Sequence, residues 1–540
     1  MHWTPDCTRV YRPQTSVNSG ASIAEQQNNR RKQLCPAYIL LGHSWNNKEP
    51  PSVLLIGLLA AIAQRVRADE CSCGPQMKSK IRKRWHLIGS MLGLTLLAAV
   101  DQWAWAAGPQ TRGPERIEHI VIIYLENRSF DNLYGHFPGA NGLQDASKTA
   151  TQTDAQGQVY ATFPPVMSDL AKPHEPDKRF PANLPNAPFL IDRYVPIHEK
   201  HADDLVRSYY RQQQQIHGGK MDRFVAVSGS GLTMGYHDSS QTALYRYAER
   251  YTLADNFFHA AFGGSLLNHF WLICACTPRF DNAPPVIQAV LDEKGNLVKD
   301  GAVTPDGWVV FTVFTVNAPH PSTVKDANLL MPPETMPTIG DRLTEKGISW
   351  AWYSSGWNDA LAGNADPLFQ FPHQPFAYFK QYADGTEAKR EHLKDEADLI
   401  KAIESNSLPA VAFYKPIGPK TQHPGYADVE SGDQHVANII SKVERSPLWS
   451  STVIVVTYDE NGGFWDHVPP PVVDRWGPGL RVPTLIISPF ARRGFVDHTF
   501  YDTTSILKMI ETRYGLAPLG ERDAHANDLL NSLDLYGPAH

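Results

Sequence analysis

Two apolar, β-branched runs more than three hundred residues apart end in the same way. Ile117–Leu125 (IEHIVIIYL) stops at Glu126-Asn127, and Thr452–Tyr458 (TVIVVTY) stops at Asp459-Glu460. Unbroken runs of this kind predict strands buried on both faces of a sheet. Shorter strand-like runs lie at 348–354, 410–414 and 482–488. Helical patterns alternate with them near Thr338–Lys346, Asp395–Ser405, Gln434–Glu444 and Thr503–Tyr514, and earlier at Asp203–Gln215, Gln241–Tyr251 and Leu266–Cys276. The alternation predicts an α/β fold: a mostly parallel central sheet between two helix layers, a three-layer α/β/α sandwich. Residues 143–200 carry Pro, Asp, Thr and Ala without periodicity and read as a long surface excursion. The stretch 282–330 changes style, with a hairpin signal around Glu293–Asn296, and reads as a small β-rich insertion. Internal repeats and coiled-coil heptads are not evident.

The two strand ends carry the chemistry. In an open α/β sheet ligands bind beyond the carboxyl ends of the strands, so both pairs point to one site. Glu126, Asp459 and Glu460 offer anionic oxygen and Asn127 an amide oxygen, a hard donor set suited to one divalent cation: Ca²⁺, Mg²⁺, Mn²⁺ or Zn²⁺. A single acid after a strand is more often a loop or helix cap. Two such pairs favour a site, because three carboxylates together repel one another unless a cation compensates. Ser265 follows Gly263-Gly264 and opens an apolar helix, which places its Oγ near free N–H groups and the positive dipole end. A metal-activated serine nucleophile fits that position, although an ordinary Ser N-cap has the same local pattern. The chain has no G-x-S-x-G elbow and no HExxH. His373, His423, His435 and His467 all fall in Pro/Gly-rich stretches, where loop hydrogen bonding is the commoner role. Several together could neutralise or protonate a phosphate. His269, one turn after Ser265, could face the site or pack.

The front of the chain reads differently. Met77 opens a basic segment (Lys78, Lys80, Arg82, Lys83, Arg84), an apolar run follows from Leu87 to Val100, and Ala104-Trp105-Ala106 forms a small-x-small cleavage site. Residues 77–106 therefore read as a secretory signal peptide cut after Ala106, with a periplasmic or secreted mature chain. Residues 1–76 are expected to be a spurious or disordered extension; the alternative is a genuine N-terminal region with an apolar anchor at Val53–Ala63. Residues 107–540 are then the catalytic domain. Over the whole 540 residues, 42% apolar and 20% charged content describe an ordinary folded protein. Beyond Ala106 stand 37 Lys and Arg against 50 Asp and Glu, a net charge of −13. Such an acidic chain is not built to bind nucleic acid through a general basic surface, and the apolar run at 87–100 is too short for a stable membrane span. Only Cys274 and Cys276 remain in that part of the chain. Two cysteines one residue apart are expected to be buried thiols on an apolar helix, not a disulfide.

Several longer motifs, in order, carry a resemblance. Glu126–Gly139 (ENRSFDNLYGHFPG), Phe258–Pro278 (FHAAFGGSLLNHFWLICACTP), His373–Phe379 (HQPFAYF), His423–His435 (HPGYADVESGDQH), Thr457–Pro471 (TYDENGGFWDHVPPP) and Arg481–Leu516 resemble the bacterial phosphoesterase family of acid phosphatases and phospholipases C. The likeness spans nearly all of 115–540. It implies the alkaline phosphatase-like superfamily fold, a bound metal and a covalent phosphoryl-enzyme. It also implies Glu126, Asn127, Ser265, Asp459 and Glu460 as metal ligands, Ser265 as nucleophile, and His373 and His423 as contacts to the phosphoryl group or leaving oxygen. FGGS is similar to the acid phosphatase branch; the phospholipase branch tends to carry Thr there. Two positions depart from the pattern: Pro372 precedes HQPF where a second histidine is usual, and Arg207 stands where a histidine is expected. Arginine binds phosphate but donates no proton, which leaves His423 as the first choice for leaving-group protonation.

The expected function is a secreted, metal-dependent phosphomonoesterase of the acid phosphatase type, working on small phosphate monoesters through a phosphoserine. The alternative is a phospholipase C that takes phospholipid head groups, for which exposed Trp465 and Trp476 would suit a lipid-facing mouth. An inactive metal- or phosphate-binding protein on the same fold is a further alternative, favoured by Pro372 and Arg207 alone.

Overall fold

A computed structural model describes residues 112–168, 175–200 and 204–537. The signal peptide, its cleavage site, the 1–76 extension and the anchor at Val53–Ala63 lie outside the described residues. The centre of the molecule is an eight-stranded sheet. In chain order its strands are β1 (His119–Leu125), β2 (Thr252–Ala254), β3 (Trp350–Ser354), β4 (Leu393–Lys394), β5 (Val411–Lys415), β6 (Thr452–Tyr458), β7 (Thr484–Ile487) and β8 (Phe495–Asp497). In space they run β4-β3-β5-β1-β6-β7-β2-β8. All are parallel except β7, which pairs antiparallel with both neighbours.

The three middle strands explain themselves by composition. From Ile120 onward β1 is buried, as is all of β5 and β6. Val and Ile fill both faces of β1 and β6, and Val411, Ala412, Phe413 and Tyr414 those of β5, the pattern of a parallel sheet covered on each side. On one face α3 (Ala243–Arg250) and α6 (Glu396–Glu404) pack on α7 (Val429–Glu444); on the other, α4 (Ser265–Cys274) packs against α5 (Ile339–Glu345) and α8 (Thr504–Tyr514). Both α5 and α6 rest on β3, one from each side. Side-chain caps set several helix starts: Asp428 accepts from the Ser431 amide at α7, and Thr338 forms a capping box with Asp341 at α5. Two earlier helices, α1 (Phe130–Tyr134) and α2 (Tyr209–Ile216), belong to the loops above the sheet.

Several expectations need correction. The helix expected over Asp203–Gln215 begins only at Tyr209, so Asp204 and Arg207 lie on the loop before it. His435 is on α7, not in a loop. Residues 143–200 are more than a surface excursion: Phe163, Val166, Phe180, Leu184, Phe189 and Ile191 form an apolar cluster of their own. Trp465, expected to be exposed, is buried in that same cluster, with its indole N–H on the Met221 carbonyl. Trp476 is half-buried. Cys274 and Cys276 form a disulfide, contrary to the expectation of free thiols. The helix ends at Cys274, and Ala275 turns left-handed (φ 47°, ψ 36°), which swings the two side chains together. The 282–330 stretch contains a hairpin, Val290–Leu291 against Leu297–Lys299, turned by the Asp292 carboxylate accepting from the Lys294 and Asn296 amides.

Candidate active site

β5, β1 and β6 are adjacent, so their carboxyl ends deliver Lys415, Glu126-Asn127 and Asp459-Glu460 to one place. At the end of β1 the chain turns at Asn127, which is left-handed (φ 64°), a conformation asparagine tolerates better than most residues. Its amide donates to Asp459 Oδ1 at 3.1 Å, and the Glu460 amide donates to the same oxygen at 2.8 Å. After β6 the chain must double back beneath Asn127. Gly462 (φ 65°) makes this possible, since a Cβ there would lie 2.1 Å from the Asn127 carbonyl oxygen.

Ser265 is the first residue of α4, and its Oγ lies 3.4 Å from Asn127 Oδ1. The glycines ahead of it have no room for side chains: Gly263 is left-handed (φ 108°), and a Cβ on Gly264 would strike the Phe311 ring at 2.8 Å. Buried side chains hold this loop in place. Asn268 donates to the carbonyls of Ala261 (3.0 Å) and Gly264 (3.2 Å) and accepts from the Ala261 amide. Gln212 accepts from the Gly263 amide at 2.9 Å and donates to Asn461 Oδ1, joining the serine loop to the loop after β6. Glu126, Asn127, Asp459 and Glu460 are buried, whereas Ser265 is partly exposed. The serine is thus the member of the group that a solute can reach.

The structure brings Glu126, Asn127, Ser265, Asp459, Glu460, His373 and His423 together, with partners the sequence did not suggest, and leaves His435 beside Tyr414 and Glu396 and His467 beside Asp131. His373 Nε2 lies 2.6 Å from Glu126 Oε1, so it holds that carboxylate rather than facing open space. Tyr426 donates to Glu126 Oε2 at 3.1 Å. Arg207 Nε is 2.7 Å from Glu460 Oε1, and its Nη2 is 3.0 Å from His423 Nε2. His423 Nδ1 points at the Pro424 carbonyl. Its Nε2 is therefore the acceptor for a guanidinium, and burial together with the Arg207 charge pushes its pKa down to about 4. A neutral His423 orients Arg207; it is poorly set to donate a proton near neutral pH. His269 packs beneath, its Nδ1 on the Ser265 carbonyl at 2.7 Å and its ring stacked on His373. Lys415, which the sequence pattern does not single out, is fully buried with Nζ 3.5 Å from Asp459 Oδ2 and 3.7 Å from Glu126 Oε1. Its one signal is position: a lysine closing the apolar strand VAFYK.

The donor set fits a hard divalent cation. Asp459 Oδ2 and Glu460 Oε1 are buried and met only by ionic groups, Lys415 Nζ at 3.5 Å and Arg207 Nε at 2.7 Å, which leaves lone pairs on both oxygens for a further cation. Burial pushes Asp459 up to about 6, with Glu126 adding to the push and Lys415 opposing it. Glu460 is also raised by burial, against the pull of Arg207. For Glu126 burial acts upward, but His373 and Lys415 outweigh it and hold the carboxyl well below its usual range.

A second group, Asp131, Asp466 and His467, also has ligand atoms within 4.8 Å of one another. Here Arg481 already occupies the centre. Its Nε donates to Asp466 Oδ1 at 2.8 Å and its Nη2 to Asp466 Oδ2 at 3.1 Å and Asp131 Oδ1 at 3.2 Å. Asp131 Oδ2 accepts from the His467 amide at 2.7 Å, with His467 Nδ1 also at 2.7 Å. Arg481 and the amides of Asp131, His467 and Val468 together donate to all four carboxylate oxygens, so this group is an ion-pair knot that a metal would have to compete with for its acids.

The phosphoesterase family model matches residues 117–517. Phospholipase C A of Mycobacterium tuberculosis is 24% identical over 492 residues, covering 82% of each chain. Non-hemolytic phospholipase C of Pseudomonas aeruginosa is 22% identical over 489 residues, covering 81% of this chain and 60% of the relative. Among solved structures, a protein of the alkaline phosphatase superfamily from Vibrio parahaemolyticus covers 62% of this chain and 74% of its own, at 13% identity and a TM-score of 0.30. A likeness that slight adds no weight to the topology above.

Proposed function

The chain belongs to the phosphoesterase family and hydrolyses phosphoric esters, and we propose that it does so as a metal-dependent phosphomonoesterase of the acid phosphatase type, with Ser265 as nucleophile. The observation that carries this reading is the accessible Ser265 Oγ, at the N-terminus of a ten-residue helix and 3.4 Å from Asn127 in a nest of buried carboxylates. Glu126, Asn127, Asp459 and Glu460, with Ser265 Oγ as a fifth ligand, would hold the cation, which when bound lowers the hydroxyl pKa and offsets charge on the phosphoryl oxygens. The start of α4, where Gly264 gives no side-chain cap, would offer its amides to those oxygens. His373 and Tyr426 orient the two oxygens of Glu126. Attack by Oγ on phosphorus expels the alcohol and leaves phosphoserine, which water then hydrolyses.

A phospholipase C is the second reading, supported by two observations. The relatives above bear that name, and an apolar cavity of about 510 Å³, lined by Tyr209, Phe262, Pro470, Pro471 and Val472, lies beside the serine loop. Val472 is 99% exposed at its rim. Among the described residues no helix is long and apolar enough to cross a membrane. The Cys274–Cys276 disulfide supports export to an oxidising compartment, as the signal-peptide pattern of 77–106 does. The deciding assay compares p-nitrophenyl phosphate with p-nitrophenylphosphorylcholine from about pH 4.5 to 8, with and without chelator. Chelator-sensitive turnover of the monoester supports the phosphatase, and preference for the choline diester supports the phospholipase. Turnover of neither, with metal bound, leaves an inactive binding protein.

A further inference from the structure

The charges around the site do not balance by carboxylates and metal alone. Glu126, Asp459 and Glu460 contribute three acids, all buried. Arg207 is committed to Glu460 and Asp204 on the outer side. Lys415 sits on the inner side, between the other two acids. It closes β5 one residue beyond Tyr414, which pairs with Ile123 of β1, so strand register brings its side chain to the end of β1. Nζ donates to the Leu125 carbonyl at 3.2 Å, lies 3.5 and 3.7 Å from Asp459 Oδ2 and Glu126 Oε1, and is 5.2 Å from the face of the Tyr124 ring. Every one of these neighbours is an acceptor of positive charge. In bimetallic centres two ions about 3.5–4 Å apart share one ligand set. Here the ammonium, 3.5 and 3.7 Å from one oxygen of each acid, stands where a second ion would compete for the same oxygens.

We propose that Lys415 is a resident cation that fixes this centre at one divalent ion. This rests on the ligand reading above and deepens it: Lys415 is a positioning residue, acting through Glu126 and Asp459 and not on the substrate. Its positive charge, fixed by the strand, excludes a second ion from the Glu126–Asp459 side and weakens the field of the acids at the first. Removing it should therefore increase cation binding, the opposite of what loss of a merely structural ion pair would do.

The test is Mn²⁺ titration of the full chain by calorimetry, with bound metal counted by mass spectrometry after dialysis, for wild type, Lys415→Met and Lys415→Arg. Wild type and Lys415→Arg are expected to hold one ion per chain. Lys415→Met is expected to take up a second, with the first bound at least about tenfold more tightly. A folded Lys415→Met that binds one ion with unchanged or weaker affinity overturns the proposal. Should that variant fail to fold, wild type still decides: one ion supports the proposal and two overturn it. A wild type that binds no ion overturns the ligand reading itself and this proposal with it, whereas a second ion in wild type defeats this proposal alone.

Discussion

The loops after β1 and β6 each carry acids to two places, and the two places differ in one respect. Glu126, Asp459 and Glu460 meet directly above the strands, while Asp131 and Asp466 meet five to seven residues further along the same loops. In the second place Arg481 and backbone amides satisfy the carboxylate oxygens. In the first, Asp459 Oδ2 and Glu460 Oε1 are buried, accept no backbone amide, and are met only by the charges of Lys415 and Arg207. The number of acids does not tell a site from a brace. What separates them is whether the buried oxygens are already spoken for. The brace ties α1 to the loop after β6 and so fixes the backbone that presents Glu126 and Asp459.

The largest expected effect sharpens the contrast from the site side. Ser265→Ala should lower turnover by at least about 10⁴-fold while leaving the melting temperature unchanged, measured by single-turnover kinetics beside calorimetry. Next, substitutions in the two acid groups should part company. Asp459→Asn should weaken metal binding by at least about 100-fold with little loss of stability, because it removes a ligand and relieves a buried charge. Asp466→Asn should leave metal affinity unchanged and cost about 3–5 kcal/mol in denaturant unfolding, because it breaks a buried pair with Arg481. If Asp466→Asn lost the metal and kept its stability, the assignment of the two regions would be reversed.

Smaller effects follow from the supports. Asn268→Ala, which frees the Gly263-Gly264 loop, should lower kcat by about tenfold to a hundredfold with metal stoichiometry intact. The smallest lies in the brace. Burial lowers the pKa of His467, but hydrogen bonding and charge from Asp131 outweigh it, and the net shift is upward. A raised folded-state pKa means that the stabilisation is fully present below the ordinary histidine value and is lost as pH rises through the folded one. The gap in melting temperature between wild type and His467→Gln should therefore be widest near pH 6 and narrow by about 1–2 °C toward pH 9.

Much of this is legible in the chain because strands that stop abruptly at acids leave a plain mark. The parallel order, the helices on both faces and the convergence of Glu126, Asn127, Ser265, Asp459 and Glu460 all follow from those marks. Lys415 is not legible, since a lysine closing a strand looks like a solvated edge until the neighbouring strand ends are known. The short strands Leu393–Lys394, Thr252–Ala254 and Phe495–Asp497 are two or three residues long, too short for any period to register. Trp465 reads as exposed because it lies in a Gly/Pro-rich loop, yet a distant apolar cluster receives it. The Cys274–Cys276 disulfide depends on the left-handed turn at Ala275, which residue spacing does not reveal.

The central claim is that phosphorus passes through Ser265. Acid quench of the metal-loaded chain during turnover of p-nitrophenyl phosphate, followed by peptide mass spectrometry, tests it most directly. A phosphoryl group is expected on the peptide containing Ser265, absent from Ser265→Ala. A phosphoryl group on another residue, or undiminished turnover by Ser265→Ala, would contradict it.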